Sequence, residues 1–502
     1  MLDGSPLTIG QVESVARRGV PVRLSDDAAQ RMAETRAGVE KILGDGRAYY
    51  GINTGFGSLA RTRIDSDKLR DLQQNLIRSH AAGVGEDLPS DIVRAMMLLL
   101  AASLARGVSG ARPVVAETIA AMLNAGVTPC VPSVGSVGAS GDLAPLAHLS
   151  LALLGEGEAL FGGRRCPAAE ALKEAGLTPL QLEAKEGLSL INGTHLMAAE
   201  GALLLADTGR LLDGAFSACA MSIDAMKGTD RHLDPRVHEV RRQPGQIEAA
   251  ARLQDLLSGS EILPSHATDD PRVQDAYSLR CAAPVLGAAM DAADYVKLAI
   301  ERELGAVTDN PLVFSSGDTL DVISAGNFHG IPLAIPLDVL SIALSHIAGI
   351  AERRVYLMLA ARDPEAGLNP YLASHPGLQS GLMIAQYTAA ACCNEMIGLA
   401  TPASVANIPT SAGIEDYNSF GPRAAAKARR SLELARSVVA IELLCAAQAI
   451  EHHRPLRSGV GVERAHEVVR GIVPPLEHDR PPSPDIRAIA EKIAEGAFSP
   501  VA

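Results

Sequence analysis

Residues 333–361 read LAIPLDVLSIALSHIAGIAERRVYLMLAA. Ala, Leu and Ile recur without a polar stripe. The stretch exceeds the usual length of a globular helix and is apolar over most of its circumference. Such a helix needs neighbours on all sides. The stretches 193–227, 285–304, 378–399 and 424–453 also read as long Ala/Leu-rich helices. Their joint burial predicts a central bundle that extends across subunits. Composition agrees. Aromatic residues are 3 % of the chain and Trp is absent, so the core must be Ala, Leu, Val and Ile. That suits close-packed helices better than a β-sandwich.

Outward from the bundle the pattern changes. Ser25 with Asp26 and Asp27 predicts a capped helix to about Leu43. YYGINTGFGSLA (49–60), with three Gly and an Asn-Thr turn, reads as a loop. Helical periodicity returns over 65–85 and 90–106, and 156–187 reads as a β-rich or irregular insert. There is no internal repeat, low-complexity tract or linker. At 502 residues more than one subregion is expected. The reading is an N-terminal region over 1–200 and a long-helix and C-terminal region over 201–502.

A net charge of −13 argues against a nucleic-acid partner. Seven scattered Cys with no CxxC pair predict reduced, mostly buried thiols. The start MLDGSPLTIG shows no export signal, and runs such as Met96–Ala105 and Leu143–Leu154 are too short to span a bilayer. A cytoplasmic protein without membrane contact is expected.

Several common motifs fail. HEVVR (466–470) and HEVRR (238–242) lack the second His of a zinc helix. GASGD (138–142) carries Asp142 where a nucleophile elbow needs Gly. No phosphate-binding Gly-rich loop is present. His452 and His453 are neighbours on a predicted helix, where they face different directions. No metal site is expected.

The chemistry lies in GSVGASGDLAPLAHLSL (135–151). Gly135, Gly138 and Gly141 make the segment flexible, and a helix follows with Pro145 in its first turn. Ser140 thus sits just before a helix N-terminus. Ala-Ser-Gly can cyclise: the Gly141 nitrogen attacks the Ala139 carbonyl, and loss of two waters leaves a methylidene-imidazolone ring (MIO). Its exocyclic methylene comes from Ser140, Gly141 permits the bend, and the helix pole favours electron flow into the ring. Alone, the tripeptide also describes an ordinary turn.

The whole frame resembles the histidine and phenylalanine/tyrosine ammonia-lyase family. The resemblance runs through YGINTGFG (50–57), NLIRSHAAGVG (75–85), KEGLSLINGT (185–194), VQDAYSLRC (273–281), TDNPLVF (308–314), SAGNFHG (324–330), SGLMIAQYTAAA (380–391) and PTSAGIEDYNSFGPR (409–423). It implies a mostly α, aspartase/fumarase-like fold with an N-terminal MIO-bearing region and a long central bundle. It also implies a homotetramer with sites shared between subunits.

Elimination from an amino acid needs an electrophile for the amine and a base for a weakly acidic β-hydrogen. By resemblance Ala139, Ser140 and Gly141 supply the first and Tyr50 the second. A free tyrosine titrates near pH ~10, so a tyrosine base needs surroundings that favour its phenolate. Arg280 resembles the carboxylate clamp, for which a planar fork is suited. Asn192 resembles the residue hydrogen-bonding near MIO, and a helix cap is compatible with that role. Gln274, Tyr277 and Phe328 resemble further site residues. Asn310 supports the ring or Arg280, or simply forms a turn.

His80 and Glu415 match the pair associated with histidine enzymes. Together they can hydrogen-bond both nitrogens of an imidazole, which a phenyl ring would leave unpaired. The expected reaction is L-histidine to urocanate and ammonia, with no metal or added cofactor. The chain departs from the histidine pattern at His195, Ala282-Ala283-Pro284 and Tyr417, and GNFHG mixes two versions. These changes spare the electrophile, base and clamp and bear on the ring pocket and the outcome. The alternatives are a lyase or 2,3-aminomutase acting on another aromatic amino acid, and an inactive structural homologue. Intact Ala139-Ser140-Gly141, Tyr50 and Arg280 speak against the last.

Overall fold

Helices start where side chains can cap them. Ser25 accepts from the Ala28 amide at the head of Asp26–Leu43, and Thr8 with Gln11 forms a capping box before Ile9–Arg18. The computed structural model describes residues 1–45, 47–59, 61–268, 270–316, 319–405 and 407–500. Ala60, which ends the predicted loop, and the last two residues of the predicted C-terminal region lie outside these.

The protein is mostly helical, with short antiparallel strands. Four of the long helices expected from the sequence span His195–Ala225, Ala282–Glu303, Ile331–Ala360 and Gly421–Ile450. The fifth begins only at Met383, after a turn, and ends at Leu399. The periodic stretch 65–85 is helical only over Leu69–His80, because Ala81 leaves helical geometry and Val84 enters a strand. The insert 156–187 holds the hairpin Glu158–Phe161/Arg164–Pro167 and also a helix, Ala168–Glu174.

One helix among the described residues, Ile331–Ala360, passes a test that the apolar runs of the sequence do not. By length and composition it is apolar enough to cross a membrane, although no uninterrupted apolar run suggested this. Its most apolar window is 61 % buried within the protein, as a core helix is. The seven Cys are all unpaired, and Cys130, Cys166, Cys219 and Cys445 are buried.

Two compact units each combine three stretches of chain. The first takes residues 1–206, 296–337 and 402–426, and the second 207–295, 338–401 and 427–502. The named strands all belong to the first unit. One part of its core gathers Val39, Ile52, Leu69, Ala184 and Val313. In the same unit, Leu69–His80, Leu143–Leu153 and Glu186–Ile191 pack against one another. In the second unit Pro244–Leu257 packs against Val460–Arg470. His453 of that unit is buried in a short turn after the long helix, its Nε2 2.7 Å from the Ala225 carbonyl, which is a structural role.

Candidate active site

Three mutually packed helices bring their ends to one cavity. His80 is the last residue of Leu69–His80, Ser140 lies just before Leu143–Leu153, and Asn192 follows Glu186–Ile191. The cavity has a volume of about 630 Å³, and its lining includes Tyr50, His80, Ser140, Asn192 and Glu415. All its lining residues belong to the first unit.

The loop that carries Ser140 is held from several sides. Gly141 has φ +73°, and a Cβ there would overlap the Gly193 carbonyl, so only glycine fits. The Asp142 amide donates to that same carbonyl at 2.7 Å. Asn192 donates from Nδ2 to the Ser140 carbonyl at 2.9 Å, while its Oδ1 is buried without a partner among the described residues. The buried Ser419 donates to the Gly138 carbonyl at 2.9 Å. Ala139 is buried. A bend that needs glycine, a buried alanine and a restrained carbonyl fit Ala139-Ser140-Gly141 to ring closure.

Asp142 was singled out in the sequence only as a misfit to another motif. Its carboxylate is fully buried and caps the long helix His195–Ala225, accepting from the Leu196 and Met197 amides at 2.9 and 3.2 Å. Ser136 donates to its other oxygen at 3.2 Å. Burial pushes its pKa up to about 7, against the hydrogen bonds that favour the anion. An acidic residue directly after Ala-Ser-Gly was the available signal. The Leu196 amide that it accepts from is 54 residues away, beyond any local capping pattern.

Tyr50 lies in the loop before Gly57, whose amide is 3.3 Å from the phenol oxygen and donates to it. His80 Nδ1 is 2.9 Å from the Leu76 carbonyl. A carbonyl only accepts, so Nδ1 carries the hydrogen and Nε2 of the neutral ring is an acceptor. Burial lowers the His80 pKa, partly offset by the Leu76 hydrogen bond and the Glu415 charge. Glu415 accepts from Ser140 Oγ at 3.3 Å and from Thr410 Oγ1 at 3.0 Å, which ties Ser140 to the Thr410 segment.

Asn310 and Phe328 are not in the cavity lining. Asn310 Oδ1 accepts from the Ala325 amide at 2.7 Å, fastening the SAGNFHG segment. That segment returns to the loop at Gly330, whose amide donates to the Gly138 carbonyl at 3.4 Å. Next to Asn310, Asp309 pairs with the buried Lys185 at 2.8 Å, and Ser189 lies 3.0 Å from the same ammonium. This pair ties Glu186–Ile191, and with it Asn192, to the Asn310 segment. His195 is buried with no partner for either ring nitrogen among the described residues, and burial lowers its pKa to about 4. It is therefore neutral.

Gln274, Tyr277 and Arg280 belong to the second unit, where the structure groups them. Arg280 donates to Gln274 Oε1 at 2.7 Å and to the Asp275 carbonyl at 3.1 Å. Its guanidinium lies 4.6 Å from the centre of the Tyr277 ring. Tyr277 is 71 % exposed. No group of three or more His, Cys, Asp or Glu suited to a metal ion occurs among the described residues.

The family model of aromatic amino acid lyases matches residues 7–471. The chain is 50 % identical over 505 residues to the histidine ammonia-lyase of Sorangium cellulosum, covering 99 % of this chain and 98 % of the relative. It is 49 % identical over 507 residues to that of Anaeromyxobacter dehalogenans, covering 99 % of each. Among solved structures, the histidine ammonia-lyase of Trypanosoma cruzi superposes with a TM-score of 0.91 at 39 % identity, covering 99 % of this chain and 93 % of that one. A tyrosine aminomutase from Streptomyces globisporus gives 0.93 at 34 % identity, covering 99 % and 97 %.

Proposed function

The chain belongs to the aromatic amino acid lyase family and is a carbon–nitrogen lyase, and from that premise we propose that it removes ammonia from L-histidine to give urocanate. The observation that carries this reading is the single cavity joining Tyr50, His80, Ser140, Asn192 and Glu415. The electrophile is the MIO ring derived from Ala139-Ser140-Gly141, which supplies an acceptor for the substrate amine. No external cofactor is needed.

The chain's own residues do the rest. Tyr50 takes the β-proton. His80 presents Nε2 to an imidazole N–H, because its other nitrogen is committed to the Leu76 carbonyl. Glu415 accepts from the second ring nitrogen of a protonated imidazole, which is then also a donor, and stays beside the serine position through Thr410. Asn192 holds the Ser140 carbonyl and thereby the orientation of the loop. Arg280 receives the substrate carboxylate in two parallel hydrogen bonds, with Gln274 and Tyr277 shaping its approach. Asn310 and Phe328 back the loop. The proposed assembly is a homotetramer with shared sites, in the cytoplasm. The exposure of Tyr277 supports a neighbouring copy covering that surface.

The test is to incubate purified protein with L-histidine and follow urocanate by its ultraviolet absorbance. A steady rise that disappears in Ser140→Ala and Tyr50→Phe is expected, with an intact mass lower than the gene product by two waters. The mass deficit without a rise would refute the histidine reading. Tyrosine and phenylalanine would then be tried, with β-amino acids as the diagnostic aminomutase products.

A further inference from the structure

Far along the chain from Ala139-Ser140-Gly141, the second unit holds an ion pair with no exposed side-chain surface. Arg354 donates from Nε and Nη2 to the two carboxylate oxygens of Glu442, at 2.5 and 2.9 Å, and both side chains are 0 % exposed. Ser222 donates to the same carboxylate at 2.7 Å. The remaining nitrogen of the fork, Nη1, donates to the backbone carbonyl of Ser278 at 3.1 Å. Ser278 lies inside the four-residue helical turn Tyr277–Arg280.

That turn is weak by itself. It spans four residues, and Ala276 at its head provides no side-chain cap. A helix this short has little stability of its own and needs tertiary contacts to hold one geometry. It also ends on Arg280, whose guanidinium is aimed by Gln274, Asp275 and Tyr277. We propose that Arg354, held in place by Glu442, is a positioning residue that fixes the Ser278 carbonyl and so sets where Arg280 meets the substrate carboxylate. The proposal rests on the reading of Arg280 as the carboxylate clamp.

Stability alone does not explain this pair. Buried ion pairs are often replaceable by apolar residues of similar volume without loss of stability. An apolar pair, however, has no N–H for the Ser278 carbonyl. A clamp that holds the substrate carboxylate equally in the ground and transition states acts on KM and leaves kcat alone, so moving it weakens binding. The role should therefore appear in substrate affinity rather than in folding.

The experiment is a double-mutant cycle on the full chain with L-histidine: Arg280→Met, the apolar pair Arg354→Met with Glu442→Leu, and all three together. The apolar pair is expected to fold, with a modestly lowered melting temperature for the unpaired Ser278 carbonyl and Ser222 hydroxyl, and to show the mass deficit of two waters. Its KM should rise about tenfold with kcat little changed, the split expected of lost carboxylate positioning. In the Arg280→Met background the same pair should add nothing further to KM. Should the apolar pair not fold, Arg354→Lys takes its place; it keeps the Glu442 pairing, loses the third arm of the fork, and should raise KM in the same way. An unchanged KM in the folded variant overturns the proposal, as does an effect that multiplies with Arg280→Met. If Arg280→Met itself leaves KM unchanged, the clamp reading fails first and takes the positioning role with it.

Discussion

Replacing His80 tests the logic of the ring pocket most directly. Its Nδ1–H is committed to the Leu76 carbonyl at 2.9 Å, so a neutral His80 offers only an acceptor to the cavity. His80→Leu leaves a substrate imidazole N–H unpaired in a partly desolvated site, at a cost of about 1–3 kcal/mol. That corresponds to a loss of about 5- to 150-fold in kcat/KM. It also frees the Leu76 carbonyl in the last turn of the helix, so a modest loss of stability is expected too. His80→Gln separates the two effects, because an amide oxygen can replace the acceptor, and it should recover most of the activity.

The pH profile adds a sign. Burial lowers the His80 pKa, so the ring is neutral at and above its ordinary range. As the pH falls through that lowered value, Nε2 gains a proton and becomes a donor facing a donor. The native kcat/KM should therefore drop on the acid side, and His80→Gln should lack that component. The substrate imidazole titrates against both enzymes, so the measured quantity is the ratio of their kcat/KM values from about pH 5 to 8. Urocanate absorbance gives the rates. His80→Leu within about twofold of the native enzyme would falsify the tautomer argument, and a ratio that rises toward acid pH would contradict the sign.

Other changes probe the loop beneath the cavity. Gly141→Ala places a Cβ in the Gly193 carbonyl at φ +73°, so its intact mass should show no loss of two waters; a deficit would mean the bend tolerates a side chain. Asp142 has a folded pKa of about 7, raised above its unfolded value, so its contribution to stability is full below about pH 4 and lost as pH rises through 7. Relative to Asp142→Asn, the native protein should lose about 2–3 kcal/mol between pH 5 and 8 in unfolding measurements, and parallel curves would contradict the buried carboxylate. Lys185→Met leaves Asp309 as an unpaired buried charge, and a cost of about 3–5 kcal/mol is expected, read as a lowered melting temperature; no change would mean the pair does not brace Asn192.

The parts legible in the sequence depend on near neighbours along the chain. Ser25 caps the amide of Ala28, three residues on, and a local reading sees both ends of that bond. The long Ala/Leu-rich helices are legible because each turn forms its own hydrogen bonds, and apolar residues all round require burial. Ala139-Ser140-Gly141 before a helix is likewise a local pattern, and the surrounding motifs assign its chemistry. Tertiary structure alone decided which distant groups meet. Glu415 reaches Ser140 across 275 residues, and Arg354 reaches Ser278 across 76. Asp142 caps a helix that starts well beyond it. Nor does composition separate a core helix from a membrane span: Ile331–Ala360 satisfies the length test for both, and packing around it makes the difference. Local rules act over about one helical turn, because that is the reach of a backbone hydrogen bond. Which chain segments exclude water together is settled only when the whole chain has packed.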